Sequence, residues 1–322
     1  MRVIDVSKPG KHQRITALSY GASRSGKTRF AGSWPRPLFL SDATESGWTT
    51  LQNMDKSILF EEGRDPKVWA IEKMIDMTKA VKDAEPLIKR GEVRTIVIDS
   101  LTFYSDLVFN FFESAGGERD PRRLYQKLAA HLKTLREEIH LLGCNVVWLC
   151  LAKDPGEEQP VGGPMLSGQN AQKFSAGCDY LLYHRHFQSG NGPLQWEVRT
   201  RKFGSYAAGG RDEGRLPDPL GYITEGADNK DVFIPECTYR TLAEALGILD
   251  PLERVEDLFD LPPETPVSLP SETAQPVAAA TPEPSVVAPA TATPDPTPTP
   301  NNRGKAPVRP QTAAQSGRPS SR

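Results

Sequence analysis

The sequence predicts an α/β fold in which a mainly parallel central sheet is flanked by helices, followed by a disordered C-terminal tail. Strand-like and helix-like segments alternate along most of the chain, which favours a parallel sheet. Two strand-like segments, residues 95–98 and 145–151, are apolar along almost their whole length. Such runs are typical of central strands that are buried on both faces. By contrast, residues 262–322 hold 15 of the 29 prolines and no aromatic residue, which indicates a tail without a core.

The remaining short elements are predicted from local patterns. Strands are expected at residues 14–20 and 37–41, and a later pair of strands at residues 180–186 and 194–201. A closing helix is expected at residues 241–249.

Two long helices are predicted from apolar residues at helical spacing. The first covers residues 67–89, and its stripe consists of Val68, Ile71, Met74, Ile75, Thr78 and Val81. The second covers residues 121–142, and its stripe consists of Leu124, Leu128, Leu132, Leu135, Ile139 and Leu142.

The composition restricts the function. The net charge is -2 and the pI is about 6.3, so the chain has no overall basic field, and any contact with nucleic acid must come from local basic patches. The sequence shows no signal peptide and no apolar run of the roughly 20 residues that span a bilayer. The four cysteines have no CxxC spacing. We therefore expect a cytoplasmic protein with no membrane contact, no disulfides and no zinc site.

The change of composition near Leu261 predicts two regions. Residues 1–261 are expected to form one folded domain, and residues 262–322 a disordered region rich in Pro, Thr and Ala. Proline has no amide donor and a fixed φ, and the region offers too little apolar surface to offset the loss of chain entropy on folding.

A glycine-rich loop follows the first predicted strand and matches the phosphate-binding motif GxxxxGK[ST] in full. Its residues are Gly21, Ala22, Ser23, Arg24, Ser25, Gly26, Lys27 and Thr28. Backbone N–H groups and the start of the following helix attract phosphate oxygens in such loops. The sequence therefore predicts an ATP site in which Lys27 reaches the β- and γ-phosphates and Thr28 ligates Mg²⁺.

A second motif lies at residues 95–100, where Asp99 ends an apolar strand. Ligands bind at the carboxyl ends of strands in open α/β sheets, so Asp99 is expected to hold Mg²⁺. The alternative is an ordinary solvated aspartate at a strand end, which the phosphate-binding loop disfavours.

Hydrolysis also needs a group that orients the attacking water. Glu45, shortly after the second strand, is the preferred candidate, and Asp42 is the second. Lys27, Glu45 and Asp99 then form the predicted catalytic set. The alternative is that both acids lie on a surface turn without a catalytic role.

These motifs resemble those of RecA- and KaiC-type ATPases, and later segments resemble a narrower group, the phage AAA-domain nucleotide-binding proteins. That group includes the Sak-type RecA-like single-strand annealing proteins. The segments that carry the resemblance are residues 37–40, 98–102, 163–168, 178–183, 196–201 and 210–217.

The resemblance covers roughly residues 15–249 and implies a RecA-like ATPase that acts on single-stranded DNA in phage recombination or replication. It further implies a homo-oligomer, a ring or filament, in the cytoplasm of a bacterial host. A single-strand-binding protein is an implied partner. By position, Glu45 resembles the glutamate that activates water in RecA.

The DNA-binding loops of RecA-like proteins correspond by position to residues 110–123 and 154–168. The first segment offers three basic residues, Arg119, Arg122 and Arg123. Phe111 and Phe112 lie in the same segment, and a single strand is bound by cations together with aromatic rings. The alternative is a solvated helix start, with both phenylalanines in the core. The second segment is rich in glycine but acidic.

Two other functions remain open from the sequence: a P-loop kinase for a nucleotide or small molecule, and a nucleotide-switched scaffold with little hydrolysis. In the scaffold, the tail would recruit partners. His184 and His186 lie two apart on a predicted strand, but no acid or cysteine nearby has ligand spacing, so a structural or surface role is preferred to a metal site.

Overall fold

The computed structural model describes residues 14–116, 120–157, 160–167, 169–188, 195–212, 214–225, 231–234 and 236–248. The predicted tail, residues 262–322, lies outside these residues. Among the helices of the described part, none has the length and apolar content that crossing a membrane requires.

A sheet of nine strands forms the centre of the described part. The strands are β1 (Thr16–Gly21), β2 (Pro37–Asp42), β3 (Lys67–Ile71), β4 (Thr95–Asp99), β5 (Asn145–Lys153), β6 (Gly163–Pro164), β7 (Tyr180–Phe187), β8 (Gln195–Arg199) and β9 (Gly209–Gly210). Their order is β3-β2-β4-β5-β1-β7-β8, with β6 beside β5 and β9 beside β7. Along this spatial order, all neighbouring strands from β3 across to β7 are parallel to each other, and β8 is antiparallel to β7. A separate antiparallel pair consists of β10 (Tyr222–Glu225) and β11 (Asp231–Ile234).

Helices connect the strands. They are α1 (Lys27–Gly32), α2 (Thr49–Gln52), α3 (Met74–Lys89), α4 (Leu101–Gly116), α5 (Pro121–Leu141), α6 (Asn170–Ser175) and α7 (Tyr239–Leu246), with one turn of 3₁₀ helix at Lys56–Ile58.

The two faces of the sheet are covered by two separate buried clusters. On one face Leu18, Ile96 and Trp148 pack with side chains of α3, α4 and α5. On the other, Ala17 and Val147 pack with side chains of α1 and α7. Because successive residues of a strand point to opposite faces, central strands covered on both faces must be apolar throughout. The prediction of a mainly parallel sheet flanked by helices is confirmed.

The strand order brings the predicted functional segments to one edge of the sheet. β1, β2 and β4 are mutually parallel members of the sheet and end at Gly21, Asp42 and Asp99. In the register of β2 with β4, Ser41 pairs with Asp99. The phosphate-binding loop and the two acidic segments therefore start from the same edge.

The prediction of one helix over residues 67–89 is wrong in its first part. Lys67–Ile71 is the edge strand β3, which pairs with β2, and only Met74–Lys89 is helical. This run contains Val68, Trp69 and Ile71 and gains a ladder of hydrogen bonds beside β2, and this tertiary contact overrides the helical spacing. The buried stripe of α3 is also displaced from the prediction, since Ile75 is 65% exposed and Met77 is buried.

Residues 110–123 are not a single loop, which corrects a second prediction. α4 continues through Asn110 to Gly116, and α5 begins at Pro121. Ring contacts between Tyr104 and His131 and between Phe109 and Tyr125 show that the two helices run antiparallel. Residues 110–116 and 120–123 therefore lie at one end of this helical hairpin.

Candidate active site

The phosphate-binding loop joins β1 to α1 through two residues with left-handed backbone conformation. Arg24 has a φ of 62° and Gly26 a φ of 87°. Gly26 is the N-terminal cap of α1, and its carbonyl accepts a hydrogen bond from the Phe30 N–H at 2.9 Å. A glycine at this position adopts the left-handed conformation without steric penalty.

The start of the loop is packed against β7. Gly21 pairs with His184, and a Cβ atom on Gly21 would overlap the carbonyl oxygen of His184 and lie 2.6 Å from Ser25 Oγ. Only glycine fits this junction between strand and loop.

Lys27 is buried inside the loop. Its Nζ donates hydrogen bonds to the carbonyl oxygens of Gly21 at 3.0 Å and Ala22 at 2.7 Å. Burial lowers the pKa of Lys27, and the nearby Asp99 carboxylate opposes that shift. The cation is thus held at the position from which a P-loop lysine contacts phosphate oxygens.

Thr28 and Asp99 meet at the edge of the sheet. Thr28 Oγ1 donates a hydrogen bond to Asp99 Oδ2 at 3.0 Å. Burial raises the pKa of Asp99, and the Thr28 hydrogen bond and the Lys27 charge oppose the shift.

The donor set of this pair fits Mg²⁺. A hydroxyl and a carboxylate oxygen are hard ligands, and Mg²⁺ is commonly held by one or two carboxylates together with substrate phosphates. Within the described residues, no group of three or more His, Cys, Asp or Glu side chains could hold a metal by itself. The Thr28 hydroxyl and the Asp99 carboxylate would hold such an ion together with phosphate oxygens of a nucleotide.

Glu45 lies at the same site. Its carboxylate accepts a hydrogen bond from the Ser100 N–H, next to Asp99. Burial, followed by repulsion from Asp99 and Asp42, raises the pKa of Glu45 to about 7, although the Ser100 hydrogen bond and Lys27 lower it. A carboxyl group with a pKa near neutrality can accept a proton at neutral pH.

Asp42, the second candidate for the water-orienting group, makes a local contact instead. Its Oδ1 accepts a hydrogen bond from the Thr44 N–H at 2.8 Å. This short turn occupies the Asp42 carboxylate, so the geometry favours Glu45.

Gly47 belongs to the site but was not predicted from the sequence. A Cβ atom on Gly47 would lie 3.4 Å from Asp99 Oδ2 and 3.9 Å from Thr28 Oγ1. The backbone of the segment after Glu45 therefore passes directly beside the Thr28–Asp99 pair. No motif marks this approach, because it depends on how the loop after β2 folds back.

The two histidines of β7 contact the start of α1 and the phosphate-binding loop. His184 is fully buried against the Phe30 ring, and burial, helped by Lys27, lowers its pKa to about 3. His186 Nε2 donates to the Arg24 carbonyl oxygen at 2.5 Å, and Trp196 Nε1 of β8 donates to the same oxygen at 3.2 Å. Trp196 and Arg24 are 172 residues apart in the sequence, and no sequence pattern predicted their contact.

Two of the three predicted DNA contacts lie in the described part of the chain, away from this site. Arg119 falls outside the described residues, while Arg122 and Arg123 are exposed in the first turn of α5. Phe111 is 45% exposed, whereas Phe112 packs against the core. The 16 residues of α4 span about 24 Å, so the end of the hairpin is separated from Asp99 by roughly the length of that helix.

Comparison with known proteins agrees with this geometry. A family model described as an AAA domain matches residues 13–207, more than half of the chain. The chain belongs to this AAA-domain family. A search of curated proteins found no match.

Among solved structures, this AAA-domain protein is similar to a KaiC-like protein from the hyperthermophilic archaeon Pyrococcus horikoshii OT3. The identity is 16% and the TM-score 0.39, over 69% of this chain and 90% of the other. The family match and the order of the parallel strands agree with a P-loop fold that has a mainly parallel central sheet flanked by helices, as the sequence predicted.

Proposed function

We propose that this AAA-domain protein binds ATP with Mg²⁺ and hydrolyses it. The observation that carries the proposal is the meeting of Lys27, Thr28, Asp99 and Glu45 at one edge of the sheet. They come from α1, β4 and the segment after β2, which are far apart in sequence.

Each of these residues has a distinct role in the proposed reaction. Lys27 binds the terminal phosphates, and Thr28 and Asp99 hold Mg²⁺. The metal ion, when bound with the nucleotide, neutralises charge that develops on the phosphate oxygens. Glu45 orients a water molecule and accepts its proton, because its pKa near 7 matches that task at neutral pH.

We further propose single-stranded DNA as the effector, in a phage recombination or replication reaction. The support is the exposed Arg122 and Arg123 beside the hairpin end that also carries the exposed Phe111. Cations neutralise DNA phosphates, and an exposed ring stacks on bases. A homo-oligomer and a single-strand-binding protein as partner belong to the same proposal.

The test is steady-state ATP hydrolysis with and without single-stranded DNA, at moderate salt. The Lys27→Ala variant should lose about a hundredfold or more of the activity, because the cation that contacts the transferred phosphate is missing. Thermal unfolding of the variant checks that the fold is retained.

A DNA-site variant refines the experiment. Arg122→Ala should reduce the stimulation by DNA, whereas Lys82→Ala, an exposed lysine on α3, should not. Turnover without DNA stimulation would contradict the DNA proposal alone. Transfer of phosphate to a nucleoside monophosphate would support a kinase instead, and tight ATP binding without turnover would support a nucleotide-switched scaffold.

A further inference from the structure

The strand order indicates which end of a bound nucleotide lies on which side of β1. β5, β4 and β2 lie on one side of β1, whereas β7 and β8 lie on the other. Asp99 and Glu45 come from the first side, so the phosphate that is cleaved must face that side. The opposite end of the nucleotide, its nucleoside, then lies toward β7 and β8.

One aromatic side chain of β8 lies directly against the phosphate-binding loop. A Cβ atom on Gly26 would lie 2.8 Å from Cδ1 of Trp196, and the Trp196 Nε1 donates to the Arg24 carbonyl oxygen. The Arg29 guanidinium carbon lies 5.7 Å from the centre of the indole ring. Even with these contacts, 40% of Trp196 remains exposed.

If Trp196 served only to hold the phosphate-binding loop in place, its hydrogen bond to Arg24 would be explained, but the exposure of its ring would not. His186 already donates to the Arg24 carbonyl at 2.5 Å, and it needs no large apolar surface to do so. An exposed indole beside a phosphate-binding loop offers a flat surface on which a base can stack, with the Arg29 cation at the same ring.

We propose that Trp196 is the stacking surface for the base of the bound nucleotide. This inference rests on the proposed nucleotide binding and adds the recognition of its base. Stacking uses the π-face that every base has, and the larger purines stack over more area. The site is therefore expected to accept ATP and GTP with similar affinity and to bind pyrimidine nucleotides more weakly.

The test compares ATP with inorganic tripolyphosphate, a probe that has the phosphates but no base. Calorimetry on the full chain with Mg²⁺ gives the ratio of the two dissociation constants, which measures the contribution of the base. In Trp196→Ala this ratio should fall by about tenfold to a hundredfold, while tripolyphosphate binding stays close to wild type. Trp196→Phe keeps a stacking ring and should retain most of the ratio.

Tryptophan fluorescence gives a second readout that does not depend on the stability of the alanine variant. ATP should quench the emission of the wild type more than tripolyphosphate does, and this difference should disappear in Trp196→Phe. Trp48 is the matched control, since it is 41% exposed and lies in the segment near Asp99 on the other side of the loop. Trp48→Phe should retain the quenching by ATP.

Four outcomes would overturn the inference. Equal weakening of ATP and tripolyphosphate in Trp196→Ala would show that the side chain only positions the loop. Loss of the base contribution in Trp48→Ala but not in Trp196→Ala would assign the base to the other side. An unchanged ratio in Trp196→Ala, with normal ATP binding, would refute base stacking and leave the proposed function standing. A wild-type chain that binds neither ligand would refute both.

Discussion

At the scale of single residues, the ionised Glu45 carboxylate lowers the free energy of unfolding, and the same group is the proposed proton acceptor in hydrolysis. Its pKa is raised from 4.5 to about 7, mainly by burial. Between these two pH values the folded chain binds more protons at this site than the unfolded chain. The free energy of unfolding therefore falls as pH rises through this window, and the loss is complete above about pH 7.

Replacement of Glu45 by Gln should separate the two effects. Hydrolysis should fall by about a hundredfold or more, because the amide cannot accept the proton, while ATP binding is retained. At pH 8 the variant should unfold with a free energy on the order of 1 kcal/mol higher than wild type, after allowance for solvent screening of this half-buried group. Chemical denaturation at pH 5 and pH 8, together with hydrolysis rates, measures both.

The pH profile adds a check on the same residue. For the wild type, kcat/KM should rise with pH and level off above a midpoint near 7, since the ionised carboxylate is the active form. Asp42→Asn is the matched control, because Asp42 binds Thr44 locally, and it should keep the rate at high pH. Its midpoint should move to lower pH, since one of the charges that raise the pKa of Glu45 is removed. If Asp42→Asn abolished hydrolysis and Glu45→Gln did not, the two roles would have to be exchanged.

At the scale of elements, the conformation of the phosphate-binding loop depends on β7 as much as on β1. The end of β1 touches the backbone of β7 at His184, and His186 of the same strand binds the Arg24 carbonyl. His184 can take its place beneath the loop because it is neutral, with a pKa lowered to about 3 by burial. A change in the spacing of β1 and β7 therefore acts directly on the phosphate site.

Gly21→Ala tests this dependence. The added methyl group meets backbone rather than a flexible side chain, so the strands must separate, and we expect a loss of about 1–3 kcal/mol in stability together with weaker ATP binding. Gly209→Ala is the control, since Gly209 also pairs with β7, at Leu181, but a Cβ atom there meets nothing within 4 Å. Thermal unfolding and ATP titration of both variants give the comparison. Equal behaviour of the two would show that the close contact at Gly21 is unimportant.

At the scale of the whole molecule, the sheet separates three tasks. Metal binding and water activation are proposed on the β2–β4 side of the loop, base stacking on the β7–β8 side, and DNA contact at the end of the α4–α5 hairpin. The two buried clusters pack the helices against the two faces of the sheet.

The proline-rich C-terminal region should be dispensable for this framework. Removal of residues 262–322 is expected to leave the melting temperature and the affinity for ATP unchanged, because the sequence offers that region almost no apolar surface to bury. Differential scanning calorimetry and ATP titration of the truncated chain test the expectation. A clear fall in melting temperature would show that the tail contributes to the folded domain.

The sequence by itself determined the α/β class, the phosphate-binding loop and the position of Asp99. These features follow from local patterns: a motif of eight consecutive residues, apolar runs that must be buried on both faces, and the chemistry of a carboxylate at a strand end. Glu45 was a candidate from its position, but its contact with Ser100 and its raised pKa appear only when β2 and β4 lie side by side.

The tertiary structure alone decided that residues 67–71 form an edge strand, and that residues 110–116 and 120–123 lie at one end of a helical hairpin. It also decided the approach of Gly47 to Asp99 and of Trp196 to Gly26. Each of these depends on pairing or packing between segments that local spacing does not report. The physical reason is that a hydrogen-bonding ladder or a close contact is provided by the neighbouring element, whose identity is fixed only when the whole sheet assembles.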